Sequence, residues 1–404
     1  MALFDYTAPC PYCYRVMDTR EVAFRCEGKP PAGRVACKPD RDEELSKHFG
    51  QQRLYLPAFK PGRGYKEQRE AICKACGSPS NTRLCPFCHS KLPGGFGGES
   101  PLFGLVGVRS SGKTVMLATL IDELTKGPTA RRFNYAASLP GGNEDGSKAA
   151  FFRKLLAKMR GETGQSGDLP LQTDSGGNNY ELPVVFEWRR EKHGAEKLFS
   201  REDYKSVIFS FYDTAGEDLD TEQKVETRRY LGVTEGILLL LDPFGFPANR
   251  ALARKKGVQQ TVTEPEFVLR NITDILQKAE GAKKNRKIKQ PVAVVISKID
   301  AFFDSVGPYD PIRKPSLSDA FFDETDSKEV HENLRGLIDS WDGGNLLAQL
   351  DQTYANFRLF GASALGAEPD YSHAKVSVRG VTPHRVAEPL LWLLSERGVI
   401  PMQV

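Results

Sequence analysis

All eight cysteines fall at positions 10, 13, 26, 37, 73, 76, 85 and 88, and none follows. The stretch "CKACGSPSNTRLCPFC" holds Cys73-x2-Cys76 and Cys85-x2-Cys88, two knuckles eight residues apart, a spacing that suits one tetrahedral Zn2+ site of four thiolates. "CPYC" supplies Cys10 and Cys13, which with Cys26 and Cys37 make a second site of less regular spacing. His48 and His89 are spare candidates, although a surface histidine is the commoner use. Disulfides are the competing reading, and the lack of a secretion signal favours metal. "CPYC" also matches a glutaredoxin-type dithiol, but that motif needs a preceding strand, which "MALFDYTAP" does not offer. Zinc would supply folding free energy to a segment with a small apolar core, leaving its surface to dock protein or nucleic acid.

A different chemistry is written in "GVRSSGKT", Gly107 to Thr114, which fits GxxxxGK[ST] between an apolar strand and a helix. Backbone amides of residues 108–113, with Ser110, Ser111 and Gly112 among them, can curl round a β-phosphate at the helix N-terminus. Lys113 then reaches the β- and γ-phosphates and Thr114 offers its hydroxyl to Mg2+. A Gly/Ser turn that only caps a helix is the alternative, and the flanking elements favour the phosphate loop.

Two later stretches choose the base. "SKID", Ser297 to Asp300, follows the apolar run "PVAVVI", and "GASALG", Gly361 to Gly366, follows "FRLF". The Asp300 carboxylate can accept both the N1 and N2 protons of guanine while the Lys298 stem lies against the ring. Adenine has no such donor pair, so a site of this kind discriminates strongly. After Ser363, the Ala364 amide can meet guanine O6, where adenine would present an amino group.

The order GxxxxGK[ST], DxxG, [NTS]KxD, SA[KL] resembles the translation-factor-related (TRAFAC) class of P-loop GTPases over about residues 101–400. More narrowly, the cysteine-rich front, "LLDP" ending at Asp242-Pro243, "DTAGE" and the tail "VTPHRVAEPLLWLL" are similar to the bacterial double-GTPase family of the second type. That resemblance implies a Mg2+-dependent GTP/GDP switch in a bacterial conflict system, acting beside a partner GTPase or activating protein. It implies that Lys113 and Thr114 serve phosphate and Mg2+, that Asp213 of "FYDTAGED" holds Mg2+ through water, and that the Gly216 amide senses the γ-phosphate. It also gives guanine reading to Lys298 and Asp300. Ser297 departs from the usual Asn, losing an amide that braces the phosphate loop.

Glu217 stands where many such GTPases carry a water-orienting Gln. A carboxylate accepts a hydrogen bond from water but adds negative charge beside the γ-phosphate, so slow unaided turnover is expected unless a cation compensates. Arg109 in the phosphate loop and Arg228 or Arg229 in "TEQKVETRRYLG" are candidates, as is an arginine finger from a partner. Thr173, just ahead of "ELPVVFEW", is the candidate Mg2+-capping hydroxyl of the first switch, preferred over the more distant Thr163.

These residues need a scaffold, and the 404-residue chain is long enough for more than one domain. The expected division is a cysteine-rich zinc-ribbon module over residues 1–92, a Gly-rich linker over 93–100 and a GTPase domain over 101–404. Apolar strands near Leu102 to Val106, Leu182 to Trp188, Ser206 to Tyr212, Gly236 to Leu241, Val292 to Ile296 and Phe357 to Phe360 alternate mostly with helical patterns. One such pattern is the stripe Met116, Leu117, Leu120, Ile121 and Leu124. The expectation is an α/β fold with a mostly parallel sheet covered by helices. With 56 basic against 52 acidic residues, the charge balance argues against a chain whose main work is wrapping nucleic acid. "KKNRKIK", residues 283–289, reads as a solvated turn before a strand. Apolar runs of strand length predict no membrane span and a cytoplasmic protein. A non-hydrolysing GTP-binding scaffold and a zinc-ribbon nucleic-acid factor remain as alternatives to the GTPase.

Overall fold

Runs such as "GILLLL" and "VAVVI" are apolar at every position, which a strand tolerates only when both of its faces are covered. The computed structural model describes residues 6–50, 53–97, 101–107, 111–133, 136–138, 148–162, 167–169, 183–191, 204–211, 214–215, 229–258, 264–279, 286–317 and 319–404. Its contacts divide the chain into one unit of Met1–Leu102, Ser138–Pro140 and Gly176–Tyr212, and a second of Phe103–Ala137, Gly141–Ser175 and Asp213–Val404.

The second unit is built on a sheet of β1 (Phe103–Gly107), β2 (Thr214–Ala215), β3 (Gly236–Leu241), β4 (Val292–Ile296) and β5 (Phe357–Gly361). Their order is β2-β1-β3-β4-β5, and every neighbouring pair is parallel. Parallel pairing needs a crossover between strands, and helices supply it. They include α1 (Lys113–Thr125), α2 (Pro265–Ala279), α3 (Glu324–Ser340), α4 (Gly344–Thr353) and α5 (Glu388–Glu396). The expected stripe on α1 is buried throughout, from Met116 to Leu124. Helix α5 packs on β3 and β4, and α3 packs on β5. All residues of β1, β3 and β4 are buried, as covered faces require. Because the strands run one way, the segments after β1, β4 and β5 leave from the same edge of the sheet, where α/β folds place ligands.

Where α3 meets β5, His331 Nδ1 accepts the Leu359 amide at 3.0 Å. Burial, aided by the Arg358 charge, lowers this imidazole to about 4. A histidine depressed in the folded state contributes stability above its unfolded pKa of about 6.5, and loses it as pH falls toward 4. Between pH 7 and pH 4.5 this site alone should cost roughly 2–3 kcal/mol, visible in urea unfolding as a slope that His331→Gln flattens.

The first unit contains short paired strands, among them Ala23–Arg25 with Ala58–Phe59 and with Arg83–Leu84. It also contains an element that the linear division assigns elsewhere. Val184–Glu191 and Tyr204–Phe211 form an antiparallel hairpin, from Val184 opposite Phe211 to Glu191 opposite Tyr204, and neither strand belongs to the five-stranded sheet. The expected parallel placement of these two runs is therefore corrected. Antiparallel strands can be joined by a connection much shorter than the crossover that parallel strands need. One hairpin face carries Phe186, Trp188, Phe209 and Phe211 in mutual ring contact. The other contributes Val185 and Ile208 to an apolar cluster with Ala8, Met17, Val22, Phe24 and Phe96. Among the described residues no helix is long and apolar enough to cross a membrane. In the basic run, Ile288 is fully buried and its amide bonds Thr353 O, so the described part of this run is anchored to the fold.

Candidate functional site

At the end of β1 the chain must turn sharply into α1, and two glycines make this possible. Gly112 caps α1 at φ 85°, the left-handed region that side chains avoid. Gly107 is excluded from carrying a side chain for a different reason: an added Cβ would lie 2.9 Å from both Leu240 Cβ and Ser111 Oγ. Helix α1 opens with the Met116 amide donating to Gly112 O at 2.8 Å, so its positive dipole end begins at the loop. Lys113 is buried, and its ammonium donates to Gly107 O at 2.7 Å, spanning the turn. Ser111 is fully buried and Thr114 half-buried beside it. The described ends of this segment thus place a lysine and the positive end of a helix side by side, while residues 108–110 lie outside the described residues.

Two strands along, the base-reading candidates meet. Ile299 N–H bonds Ala362 O at 3.3 Å, joining the segment after β4 to that after β5. Ser363 lies by the half-buried Asp300, whose carboxyl is raised above the usual range by burial, with Ser363 partly offsetting this. Ser363 is itself fixed by two backbone bonds with His384, and its Oγ accepts the Gly366 amide at 2.8 Å. A desolvated carboxylate of this kind gains from a ligand that brings further donors. Both the amide and the hydroxyl of Ser297 bond Leu241 O, at 3.0 and 3.1 Å.

Three neighbours were not picked out as site residues from the sequence. Asp242, 2% exposed at the end of β3, accepts the Lys298 ammonium at 2.6 Å and the Phe244 amide at 3.0 Å. Lys298 has φ 50°, and its ammonium lies 5.9 Å from the Phe244 ring centre. Tyr371 meets Phe244 edge-on at 6.1 Å, and its phenol is pushed up by burial and by the carboxylates of Asp300, Glu368 and Asp242. The signal for Asp242 was a charged residue closing a wholly apolar strand; nothing local marked Tyr371. Of the remaining candidates, Arg109, Ser110, Thr163, Thr173, Asp213, Gly216, Glu217 and Arg228 lie outside the described residues, and Arg229 is half-buried at the start of a helical turn.

The cysteines do gather in two fours, but not by sequence proximity. One group is Cys10, Cys13, Cys85 and Cys88, and the other Cys26, Cys37, Cys73 and Cys76, with all ligand atoms of each within 4.8 Å of one another. Pairing the two knuckles Cys73/Cys76 and Cys85/Cys88 in one site is therefore corrected: each joins a partner from the far end of the module, in nested fashion. Sγ separations of 3.8 Å for Cys10–Cys88 and Cys13–Cys85, and of 3.5 and 3.9 Å for Cys26–Cys76 and Cys37–Cys73, rule out S–S bonds. They match the ~3.8 Å edge of a tetrahedron with metal–sulfur bonds of about 2.3 Å.

The knuckles repeat one backbone design. Cys10, Cys73 and Cys85 each accept at their carbonyl an amide four residues on, and the residues after the second cysteine, Tyr14, Gly77 and His89, all have positive φ. Amides of Tyr12, Phe87 and Gly28 point at Cys10, Cys85 and Cys26 sulfurs at 3.3 to 3.4 Å, which stabilises thiolates. Bonds from neighbouring thiols push Cys13 far down. His89 is not a ligand: its Nδ1 faces Asp42 at 2.9 Å, and Asp42 also takes Arg25 at 2.6 Å. Burial pushes the Asp42 carboxyl up, but Arg25, the Leu45 amide and His89 together hold it below the usual range. His48 faces Glu44.

No protein-family model matches the chain. A curated protein of Mycolicibacterium smegmatis, named "Putative ESX-1 scaffolding and assembly protein SaeC", is 24% identical over 419 residues, spanning 97% of this chain and 99% of that one. Among solved structures, the signal recognition particle receptor SRb-GTP/SRX complex from Chaetomium thermophilum aligns at 11% identity and TM-score 0.27, over 68% of this chain and 96% of that chain. The S. cerevisiae Ski7 GTPase-like domain bound to GDP and inorganic phosphate aligns at 13% and 0.32, over 74% and 50%. The Arl6 BBS3 small GTPase from Trypanosoma brucei aligns at 12% and 0.28, over 74% and 98%. TM-scores at this level transfer neither residues nor function, and the site stands on this chain's own geometry.

Proposed function

We propose that the chain is a Mg2+-dependent, guanine-specific nucleotide switch that hydrolyses GTP slowly, with a first unit held together by two zinc ions. The observation that carries the reading is the meeting of Asp300 and Ser363 on the sheet edge that also carries the glycine-capped loop of Lys113. A phosphate loop alone is indifferent to the base. A desolvated carboxylate at the same edge needs two donors, and guanine offers them.

In this reading the loop amides and Lys113 bind the β- and γ-phosphates. Thr114 and Asp213 would hold Mg2+, which supplies charge neutralisation at the phosphates. Asp300 and the Ala364 amide select the base, with Lys298 held by Asp242 beside them. Thr173 and Gly216 follow the γ-phosphate, and Glu217 orients water at the cost of added negative charge, so a partner's cation would speed turnover. The eight thiolates fit Zn2+ by donor type and by sulfur spacing, and the ion would contribute folding free energy.

Titrating the full chain with GTP, GDP and ATP is the direct test: guanine nucleotides should bind at least about 10³-fold tighter than ATP. Equal affinity would overturn the reading. A second reading, a GTP-binding scaffold that does not hydrolyse, is favoured by the name of the M. smegmatis relative, a scaffolding and assembly protein. Single-turnover phosphate release separates the two, since the switch releases phosphate and the scaffold does not.

A further inference from the structure

We propose that Asp242 is a positioning residue for the purine: it cancels the Lys298 charge and fixes that side chain, so that Lys298 serves the nucleotide with its aliphatic stem and not with its ammonium. The inference rests on the nucleotide reading above and deepens it by assigning which part of Lys298 acts. Asp242 follows the wholly apolar β3, and its side chain is 1% exposed. A carboxylate buried to this degree is costly unless donors meet it. One donor stands at each oxygen: the Phe244 amide reaches Oδ1 at 3.0 Å, and the Lys298 ammonium reaches Oδ2 at 2.6 Å.

The surroundings hold both members of this pair. β3 and β4 stay in register up to Leu241 opposite Ile296, and the Ser297 amide and hydroxyl then both bond Leu241 O. The two strand ends are therefore fastened to each other one residue ahead of each charge. Lys298 itself is left-handed, at φ 50° and ψ 32°, a backbone that a residue with a side chain keeps only where its neighbours enforce it. Its ammonium lies 5.9 Å from the centre of the Phe244 ring, which is wedged in turn by Phe302 at 5.2 Å and Tyr371 at 6.1 Å. One carboxylate thus orders the lysine tip and, through the Phe244 amide, the start of the segment that carries this ring. With backbone and tip both held, the stem between them is a fixed apolar wall, two residues ahead of Asp300. Such a wall suits the face of any purine, whereas Asp300 chooses among purines. Asp242 therefore sets how tightly a purine is held, and Asp300 sets which one.

Competition binding of GTP and inosine triphosphate to the full chain with Mg2+ tests this, since inosine lacks the guanine 2-amino group. Asp242→Asn, which keeps the acceptor for Phe244, and Lys298→Met, which keeps the stem, should each weaken both nucleotides by about 10-fold and leave their ratio as it was. In the Asp242→Asn background, Lys298→Met should cost less than about 2-fold further, because no charge is then withdrawn from the nucleotide. The double chain should also bind GTP at least about 5-fold tighter than Lys298→Met alone, because a buried carboxylate without its cation is worse than no charge at either position. A merely structural role for Asp242, or a Lys298 charge that acts on the nucleotide directly, predicts instead two losses that multiply, and that result overturns the proposal. A GTP preference that collapses in Asp242→Asn would make Asp242 a reader of the base and overturns it too. Should one single variant not fold, the double chain against the other decides. A wild-type chain that binds no GTP overturns the nucleotide reading and the positioning role together, whereas GTP binding with multiplying losses overturns the positioning role alone.

Discussion

A chain carrying Cys10→Ser and Cys88→Ser is expected to retain one zinc per molecule, whereas one carrying Cys73→Ser and Cys85→Ser should retain none. Both variants remove two thiolates, so composition alone predicts no difference. The nested grouping does: the first pair lies in a single cluster, and the second pair takes one ligand from each. A structural Zn2+ site contributes an apparent ~10–16 kcal/mol, too much for a site of two or three remaining ligands to imitate, so stoichiometry should change in whole steps. Native mass spectrometry or elemental analysis of the purified chains reads it directly. The opposite pattern, with one zinc in Cys73→Ser/Cys85→Ser and none in Cys10→Ser/Cys88→Ser, would restore the sequential pairing of knuckles and overturn the nested one.

The second large effect is expected at the base. Asp300→Ala removes the acceptor of two guanine protons, each bond to a charged group being worth about 1.5–3 kcal/mol, so GTP affinity should fall roughly 10²- to 10⁴-fold. ATP binding, which does not use this carboxylate, should hardly move. Asp300→Asn sharpens the test, because an amide offers one acceptor and one donor, the complement of xanthine at N1 and O2. That chain should therefore prefer xanthosine over guanosine triphosphate while its fold is intact. Acid gives an independent view: with burial holding the Asp300 carboxyl above its ordinary range, GTP affinity should begin to fall at a higher pH than a solvated aspartate would allow. Competition binding with a fluorescent nucleotide checks all three. An Asp300→Ala chain that still prefers GTP over ATP undiminished would remove Asp300 from base reading.

What could be read from the sequence follows the range of each interaction. The phosphate loop and the two base segments are contiguous, each begins where an apolar strand stops, and the parallel sheet then brings the ends of β4 and β5 together. The α1 stripe was equally local. The cysteine partition was not, since knuckle spacing constrains each pair and says nothing about which distant pair completes it. The hairpin misled for a related reason: both of its faces are covered, so its strands carry the continuous apolar pattern of a parallel sheet while pairing antiparallel. Asp242 was quoted in the sequence only as part of "LLDP", and its ion pair with Lys298 depends on the adjacency of β3 and β4.

The nested closure has a consequence for how the protein is made. Neither cysteine cluster can be completed before residue 76 has been synthesised, and the outer one waits for Cys88. The apolar surface that Val185 and Ile208 cover stays exposed longer still, until the hairpin strand near residue 211 has followed. At ~5–20 residues per second, that interval is on the order of ten seconds on the ribosome. The N-terminal unit is thus the first to begin, yet it is completed only near residue 212, after two segments of the second unit have been synthesised. A fragment cut after residue 97 would hold all eight cysteines yet remain an unfinished surface, prone to self-association until the missing hairpin is supplied in trans.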